Sequence, residues 1–226
     1  GKTEAYLAVA ATVALYRRLT SDRIPGTDVV TRYTLRLLTQ QQFLRTARLT
    51  CALELIRHRE SDLGDTAFTA GLWIGADTPR NFTESTERCG EILSQQRPLN
   101  RLGLERCPWC GTRIIPREKS ETRSHYGFDF DNASFSFRCP DEHCEFSENL
   151  PVQSVDDALY SDPPTFLVAT VDKFARLAWL DEAGKFLGAA GRLPPGLIIQ
   201  DELHLLSGPL GTTVGIYEAA ISTVCR

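Results

Sequence analysis

The sequence predicts an α/β fold: a parallel β-sheet with helices on both faces, interrupted by a small metal-held β-hairpin. Three observations predict it. Short apolar runs without alternation, at Asp28–Tyr33, Ala67–Gly75, Thr165–Ala169 and Leu197–Gln200, read as strands buried on both sides. Helical patterns separate these runs, which argues for parallel crossovers rather than hairpins. Over residues 104–148 the composition changes, and four cysteines arrive as two short-spaced pairs.

Taken in order, residues 3–20 place Leu7, Ala11, Ala14, Leu15 and Leu19 at helical spacing. A helix starting at Thr3 sets its first amides beside Lys2, where an anion would bind. Ser21–Gly26 is a turn, Asp28–Tyr33 a short strand, and residues 34–60 a long helix with Leu35, Leu38, Gln42, Leu49, Leu53 and Ile56 along one side. Ala67–Gly75 is the second strand. A polar loop with Asp77, Thr78 and Pro79 leads to a short helix near 84–96 and the linker Arg97-Pro98-Leu99-Asn100. Beyond the cysteine segment come the strand Thr165–Ala169, the helix Val171–Leu180, a Gly/Pro-rich loop over 184–196, the strand Leu197–Gln200 and a last helix over 212–225. The expected organisation is one α/β domain over residues 1–100 and 150–226, with 104–148 inserted.

At 226 residues and 42% hydrophobic content, the chain has the composition of an ordinary globular protein. No apolar run approaches the ~20 residues of a membrane span, and no signal-peptide pattern begins it. A cytoplasmic location without a membrane partner is expected. Met is absent, and residue 1 lies inside a motif that should follow a strand and a glycine-rich turn, so the sequence reads as an internal segment of a longer protein. The net charge of −4 excludes a global basic signature for nucleic acid. Locally, residues 17–59 carry nine Arg against Asp22, Asp28 and Glu54, an excess compatible with phosphate contacts or with a solvated helix surface.

The cysteines carry the sharpest spacing. Cys107-Pro-Trp-Cys110-Gly and Cys139-Pro-Asp-Glu-His-Cys144 each form a tight turn able to present two thiolates, and two such turns complete a tetrahedron around zinc. Between them, Phe128–Phe137 alternates like a hairpin around Asp131-Asn132. Four thiolates close the coordination sphere, so the site would be structural; His143 is an alternative to Cys144 as fourth ligand. A redox Cys-x-x-Cys is the competing reading, but it has no use for a second pair. Cys51, Cys89 and Cys225 read as small core or surface residues.

Two further motifs lie at the ends. Gly1-Lys2-Thr3 matches the close of a phosphate-binding loop, in which the lysine reaches the β/γ-phosphates and the hydroxyl ligates Mg²⁺. Asp201-Glu202 follows an apolar strand, where an acidic pair can hold Mg²⁺ and activate a water. The bland reading of that pair is an acidic helix start.

In their order these motifs resemble the first RecA-like, P-loop NTPase domain of superfamily 2 helicases of the DExH kind. Gly1-Lys2-Thr3-Glu4-Ala5 is similar to the end of motif I, Val30–Arg36 to motif Ia, Ala169–Phe174 to motif Ib, and Asp201-Glu202-Leu203-His204 with the Leu205–Gly211 loop to motif II of Ski2-like members. The segments Thr31–Phe43 and Leu72–Gly75, together with the zinc-ribbon insert, resemble the large helicase subunit of the bacterial DISARM anti-phage system. The resemblance covers nearly all of the chain apart from the ribbon.

That resemblance implies an ATP-dependent helicase or translocase with Mg²⁺ and structural Zn²⁺, acting on nucleic acid, DNA rather than RNA, beside a protein partner in a defence complex. It implies that Gly1, Lys2 and Thr3 bind ATP, that Thr3 and Asp201 hold Mg²⁺, and that Glu202 activates water. His204 would link the ATP site to the nucleic-acid side. Thr31, Arg32, Thr170 and Lys173 would touch one strand's phosphodiester backbone, although Thr31 and Thr170 equally suit helix caps. Trp73 reads as core, and Trp109 as a stacking candidate. The glycine-rich part of motif I and a second RecA-like domain are outside the sequence, so poor hydrolysis is expected of the segment alone. Two competitors stay open: a double-strand translocase that does not unwind, and a non-catalytic module in which the ribbon binds nucleic acid.

Overall fold

The computed structural model describes residues 1–21, 26–34, 36–174, 180–201, 215, 219, 221–223 and 225, with the backbone alone at 36 and 37. Within these, five parallel strands form one sheet and two antiparallel strands form a separate hairpin. The chain runs through α1 (Lys2–Thr20), β1 (Val29–Tyr33), α2 (Arg36–Arg57), β2 (Ala70–Trp73), α3 (Phe82–Ser94), β3 (Phe128–Phe130) and β4 (Phe135–Phe137). It continues through β5 (Val152–Gln153), α4 (Asp156–Ser161), β6 (Phe166–Thr170), α5 (Val171–Phe174) and β7 (Leu197–Gln200). The sheet order is β5-β2-β6-β1-β7.

Register follows the apolar pattern. Val29 lies beside both Phe166 and Leu197, and Ala70 beside Phe166 and Val152, so one row of side chains crosses the whole sheet. Because side chains alternate in a strand, this row and its successors two residues on share a face. That face carries Val29, Phe166, Leu197 and Ile199 against Ala10, Val13 and Ala14 of α1 and Leu53 of α2. Further along it, Tyr33, Val168, Ala70 and Leu72 pack on Phe43, Ala47 and Cys51 of α2. The opposite face sets Val30, Leu167, Ala169 and Trp73 against Leu159 of α4, Phe174 of α5 and Phe186. Helices therefore cover both faces, as the unbroken apolar runs require.

Gly71 makes one of these contacts possible. A Cβ there would sit 2.5 Å from Pro164 Cγ and 2.6 Å from Leu159 Cδ2, so only glycine lets α4 lie this close to the sheet. On the same face Trp73 is fully buried among Tyr160, Phe174 and Phe186, with ring centroids 5.2–6.3 Å away in edge-on geometry. Its Nε1 donates to Tyr160 Oη at 3.0 Å. Trp73 is core, as its apolar strand implied.

Differences from the sequence reading are local. The segment expected to be a loop over 184–196 holds two 3₁₀ turns, Asp181–Leu187 and Ala189–Gly191, hinged at Gly188 with φ +97°. The short β5 and α4 add elements that the pattern did not announce. Part of the helix expected over Val171–Leu180, and most of that over 212–225, lies outside the described residues. No described helix is long and apolar enough to cross a membrane.

Candidate functional site

The chain's chemistry gathers at two places, the carboxyl edge of the sheet and the cysteine cluster. At the first, α1 runs antiparallel to the strands. Its last turn is fixed at the amino edge, where Arg17 Nε meets Asp28 Oδ1 at 2.7 Å and Arg17 Nη2 donates to Pro194 O at 2.7 Å. Arg18 donates to Thr66 O beside it. Its first turns are fixed at the carboxyl edge, where Tyr6 Oη and Tyr33 Oη lie 2.8 Å apart. Lys2 is one helical turn before Tyr6, exposed at the same end.

Asp201 arrives at this edge from β7. Its N–H donates to Arg32 O at 3.1 Å, extending the β1–β7 ladder by one residue. The Tyr33 phenol is held well above its ordinary range, first by burial, then by its bond to Tyr6, with the Asp201 charge adding to the effect. Thus the Lys2-Thr3 end of α1 and Asp201 flank one strand end, that of β1. Glu202, Leu203 and His204 lie outside the described residues.

Three adjacent strand ends at this edge also carry buried polar atoms that find no hydrogen-bond partner among the described residues. They are Thr34 Oγ1 after β1, Thr170 Oγ1 on β6 and Gln200 Oε1 on β7. Buried polar groups are ordinarily paired.

The residues expected to touch a nucleic-acid backbone are all interior: Thr31 is 6% exposed, Arg32 2%, Thr170 0% and Lys173 5%. Lys173 Nζ donates to Asp156 Oδ2 at 2.5 Å and lies 5.3 Å from the Trp73 ring centroid. Arg32 stacks over Phe174 at 5.3 Å. Charged groups are buried at this cost when paired or stacked, and here they tie β1, α4 and α5 together. In this arrangement none of the four side chains is presented at the surface. Thr170 Oγ1 makes no cap bond to α5 either.

The cysteine cluster is built by two knuckles and the hairpin between them. The first knuckle closes through Gly111 N–H to Cys107 O at 3.0 Å and Cys107 N–H to Thr112 O at 2.7 Å, with Gly111 at φ +84°. The second closes through Cys144 N–H to Asp141 O at 3.0 Å and Cys139 N–H to Phe146 O at 2.8 Å. β3 and β4 pair Phe128 with Phe137 around a turn in which Asp131 Oδ1 accepts from Ala133 N at 2.7 Å. The four Sγ atoms lie within 4.8 Å of one another, with Cys107–Cys144 at 3.9 Å and Cys110–Cys139 at 3.4 Å.

Tetrahedral zinc with Zn–S of ~2.3 Å needs sulfurs about 3.8 Å apart, a spacing the set brackets and that small side-chain shifts would bring to all four. Among the described residues this is the only such cluster, and its fourth member is Cys144, not His143. Burial raises the Cys139 and Cys144 thiols, Cys144 to about 11. At Cys110 burial acts the same way, but hydrogen bonds from Thr112 and the neighbouring thiols bring it down to about 7.

The cluster is joined to the core. Leu104, Ile114, Phe128 and Phe137 of the insert share one apolar core with Phe43, Ala47 and Cys51 of α2. Cys51 is buried beside Cys107 and Cys144, and burial holds its thiol far above the usual range. Cys89 is also core, and Cys225 is half-buried. A cavity of about 580 Å³, where α2, the loop after β2 and the start of the insert meet, was not among the sequence expectations. Only the run Gln40-Gln41-Gln42 could have signalled it.

Fold and site together define a parallel α/β domain carrying a hairpin with a four-thiol cluster able to hold a metal. No family model matches the sequence. The chain is homologous to a part of the DISARM protein DrmA of Bacillus paralicheniformis, at 33% identity over 98% of this chain. It spans 23% of that protein's length.

Proposed function

We propose that this chain is the ATP-binding domain of a superfamily 2 helicase or translocase acting on DNA in anti-phage defence. The single observation that carries the reading is the meeting of three elements at the carboxyl edge: the start of α1, the end of β1 and Asp201. Ligands of open parallel sheets bind at this edge, and an anion is favoured where a helix begins. The Thr34, Thr170 and Gln200 atoms that find no partner among the described residues support the same edge. Homology to a DISARM protein supports the defence setting.

In this reading Lys2 neutralises β/γ-phosphate charge, and the Thr3 hydroxyl and Asp201 carboxylate supply hard oxygen ligands suited to Mg²⁺. Mg²⁺ would offset charge on the phosphates. Glu202 orients and deprotonates the attacking water, and His204 relays the state of the site toward the nucleic acid. For Thr31, Arg32, Thr170 and Lys173, burial supports a role in holding the strand ends in place rather than direct backbone contact.

The test is titration of this chain with a fluorescent ATP analogue in the presence and absence of Mg²⁺. Saturable Mg²⁺-dependent binding is expected, with Lys2→Ala weakening it at least about tenfold, the loss of one charge-assisted contact. Absence of saturable binding by the parent chain would sink the proposal.

A further inference from the structure

We infer that a single strand of nucleic acid lies along the exposed ridge of α2, running from the cavity beside its N-terminal half to the indole of Trp109. This rests on the proposed nucleic-acid motor and names the surface and form of its substrate. Gln41, Arg45 and Arg48 are all exposed and stand at i, i+4 and i+7, one line along the helix. Arg48 Nε donates to Pro108 O at 3.1 Å, which docks that line onto the first knuckle of the ribbon.

The next residue, Trp109, is 40% exposed, unusual for an indole in so well-packed a region. Phe146 braces it edge-on at 6.0 Å and 70°, leaving the ring rigid and open to a stacking base. At the other end lies the cavity of about 580 Å³, within the range of small-ligand sites. Gln40, Gln41, Asn100, Arg101, Glu105 and Arg106 line it. Leu44 and Leu104 supply apolar wall.

This is the chemistry that holds an unstacked nucleotide. Amide and carboxylate groups can pair with base edges, arginines with phosphate, and apolar side chains with the base face. Arg106 is pinned by a bond from Nη1 to Gly111 O at 2.9 Å, so its charge stands between cavity and knuckle. Arg45 shares its charge with Glu4 at 3.0 Å, and Asp77 also reaches the cavity, so the path is mixed rather than uniformly basic. A duplex keeps its bases stacked and offers neither a base for the cavity nor one for the indole, which favours a single strand.

Fluorescence anisotropy with labelled oligo(dT) and oligo(U) tests this on the zinc-loaded chain, each variant being checked for zinc content and melting temperature. Trp109→Ala is expected to weaken binding about tenfold, with Trp109→Phe close to the parent, since stacking needs only an aromatic face. Arg101→Glu and Arg106→Glu, at exposed positions, should each weaken binding and lower the salt slope by about 0.7 per lost phosphate contact. Arg59→Ala, in the turn just beyond the far end of α2, should change nothing. A parent that binds oligonucleotide while all three path variants keep its affinity overturns the path and leaves the motor standing. A parent that binds neither oligonucleotide also overturns it, and the ATP-analogue titration then judges the motor separately.

Discussion

Tyr6 on α1 and Tyr33 at the end of β1 meet hydroxyl to hydroxyl at 2.8 Å, and Tyr6 also donates to Gln42 Oε1 on α2 at 3.2 Å. One phenol thus joins the helix that carries Lys2-Thr3 to the strand beside Asp201. Tyr33 is almost completely buried, so losing its partner leaves a polar group stranded. Tyr6→Phe should therefore cost about 1–3 kcal/mol, and Tyr33→Phe nearer 1 kcal/mol, because Tyr6 keeps Gln42. The double variant should cost less than the sum. Urea unfolding of the four proteins measures this, and strict additivity would mean that the two hydroxyls do not interact.

Removing the metal should unsettle more than the ribbon, because the insert and α2 share one apolar core. The purified chain is expected to hold about one zinc, and Cys139→Ser or Cys144→Ser to hold almost none. A strong chelator should lower the melting temperature and expose apolar surface in the α2 region, since structural zinc contributes directly to folding. Elemental analysis and hydrogen exchange read both effects. Unchanged protection across residues 43–51 after zinc removal would show that α2 does not lean on the ribbon.

The parts legible in the sequence were those with a repeating or strongly spaced signal. Leu197–Gln200 occupies the bounds its apolar run implied, and the hairpin turns at Asp131 as the alternating phenylalanines required. The cysteine spacing was enough to identify four thiols that the fold brings together. Other parts depend on tertiary partners. β5 has two residues and α4 six, too few for any periodicity to show. The burial of Lys173 was not legible because its partner, Asp156, is 17 residues away on another element. Residue type alone put that lysine on the surface. Motif order led to the expectation that Lys2-Thr3 and Asp201 lie at one sheet edge, whereas the Tyr6–Tyr33 contact beside them was not legible, since Tyr6 lies in no chemical motif and Tyr33 was not singled out within the segment that resembles motif Ia.

Glu84 gives α3 a pH-sensitive start. Asn81 Oδ1 caps the helix by accepting from Glu84 N at 2.8 Å, while Glu84 Oε2 accepts from the N–H of the preceding residue, Arg80, at 2.9 Å. Arg88 Nη2 adds a contact at 2.5 Å to Glu84 Oε1. Burial works against the carboxylate, but the bonds from Arg80 and Arg88 outweigh it and hold the group below its usual 4.5. A depressed acid stabilises the fold above its unfolded-state value and loses that contribution as pH falls through the folded-state value. Glu84→Gln should thus cost about 1 kcal/mol near neutral pH, with the gap to the parent closing below pH 4.5. Denaturation at neutral and acid pH checks it; a gap that widens in acid would contradict the assignment.

The buried Lys173–Asp156 pair separates two roles for the segment that resembles motif Ib. The side chains are 6% and 8% exposed, and Nζ meets Oδ2 at 2.5 Å above the Trp73 ring. Burial raises the Asp156 carboxyl, and the lysine works against that rise, so each charge is tolerable only beside the other. If the pair is architectural, Lys173→Met strands a buried carboxylate and should cost about 3–5 kcal/mol, with a similar loss for Asp156→Leu. The double variant Asp156→Leu/Lys173→Met should recover most of that loss, since two apolar groups of similar volume can replace a buried pair. Thermal and urea unfolding of the full cycle give the coupling, and oligonucleotide binding measured on the recovered double variant gives the second readout. Parent-like binding in that variant assigns Lys173 to the scaffold. Loss of binding with stability restored would instead mean that the lysine leaves Asp156 to meet the strand.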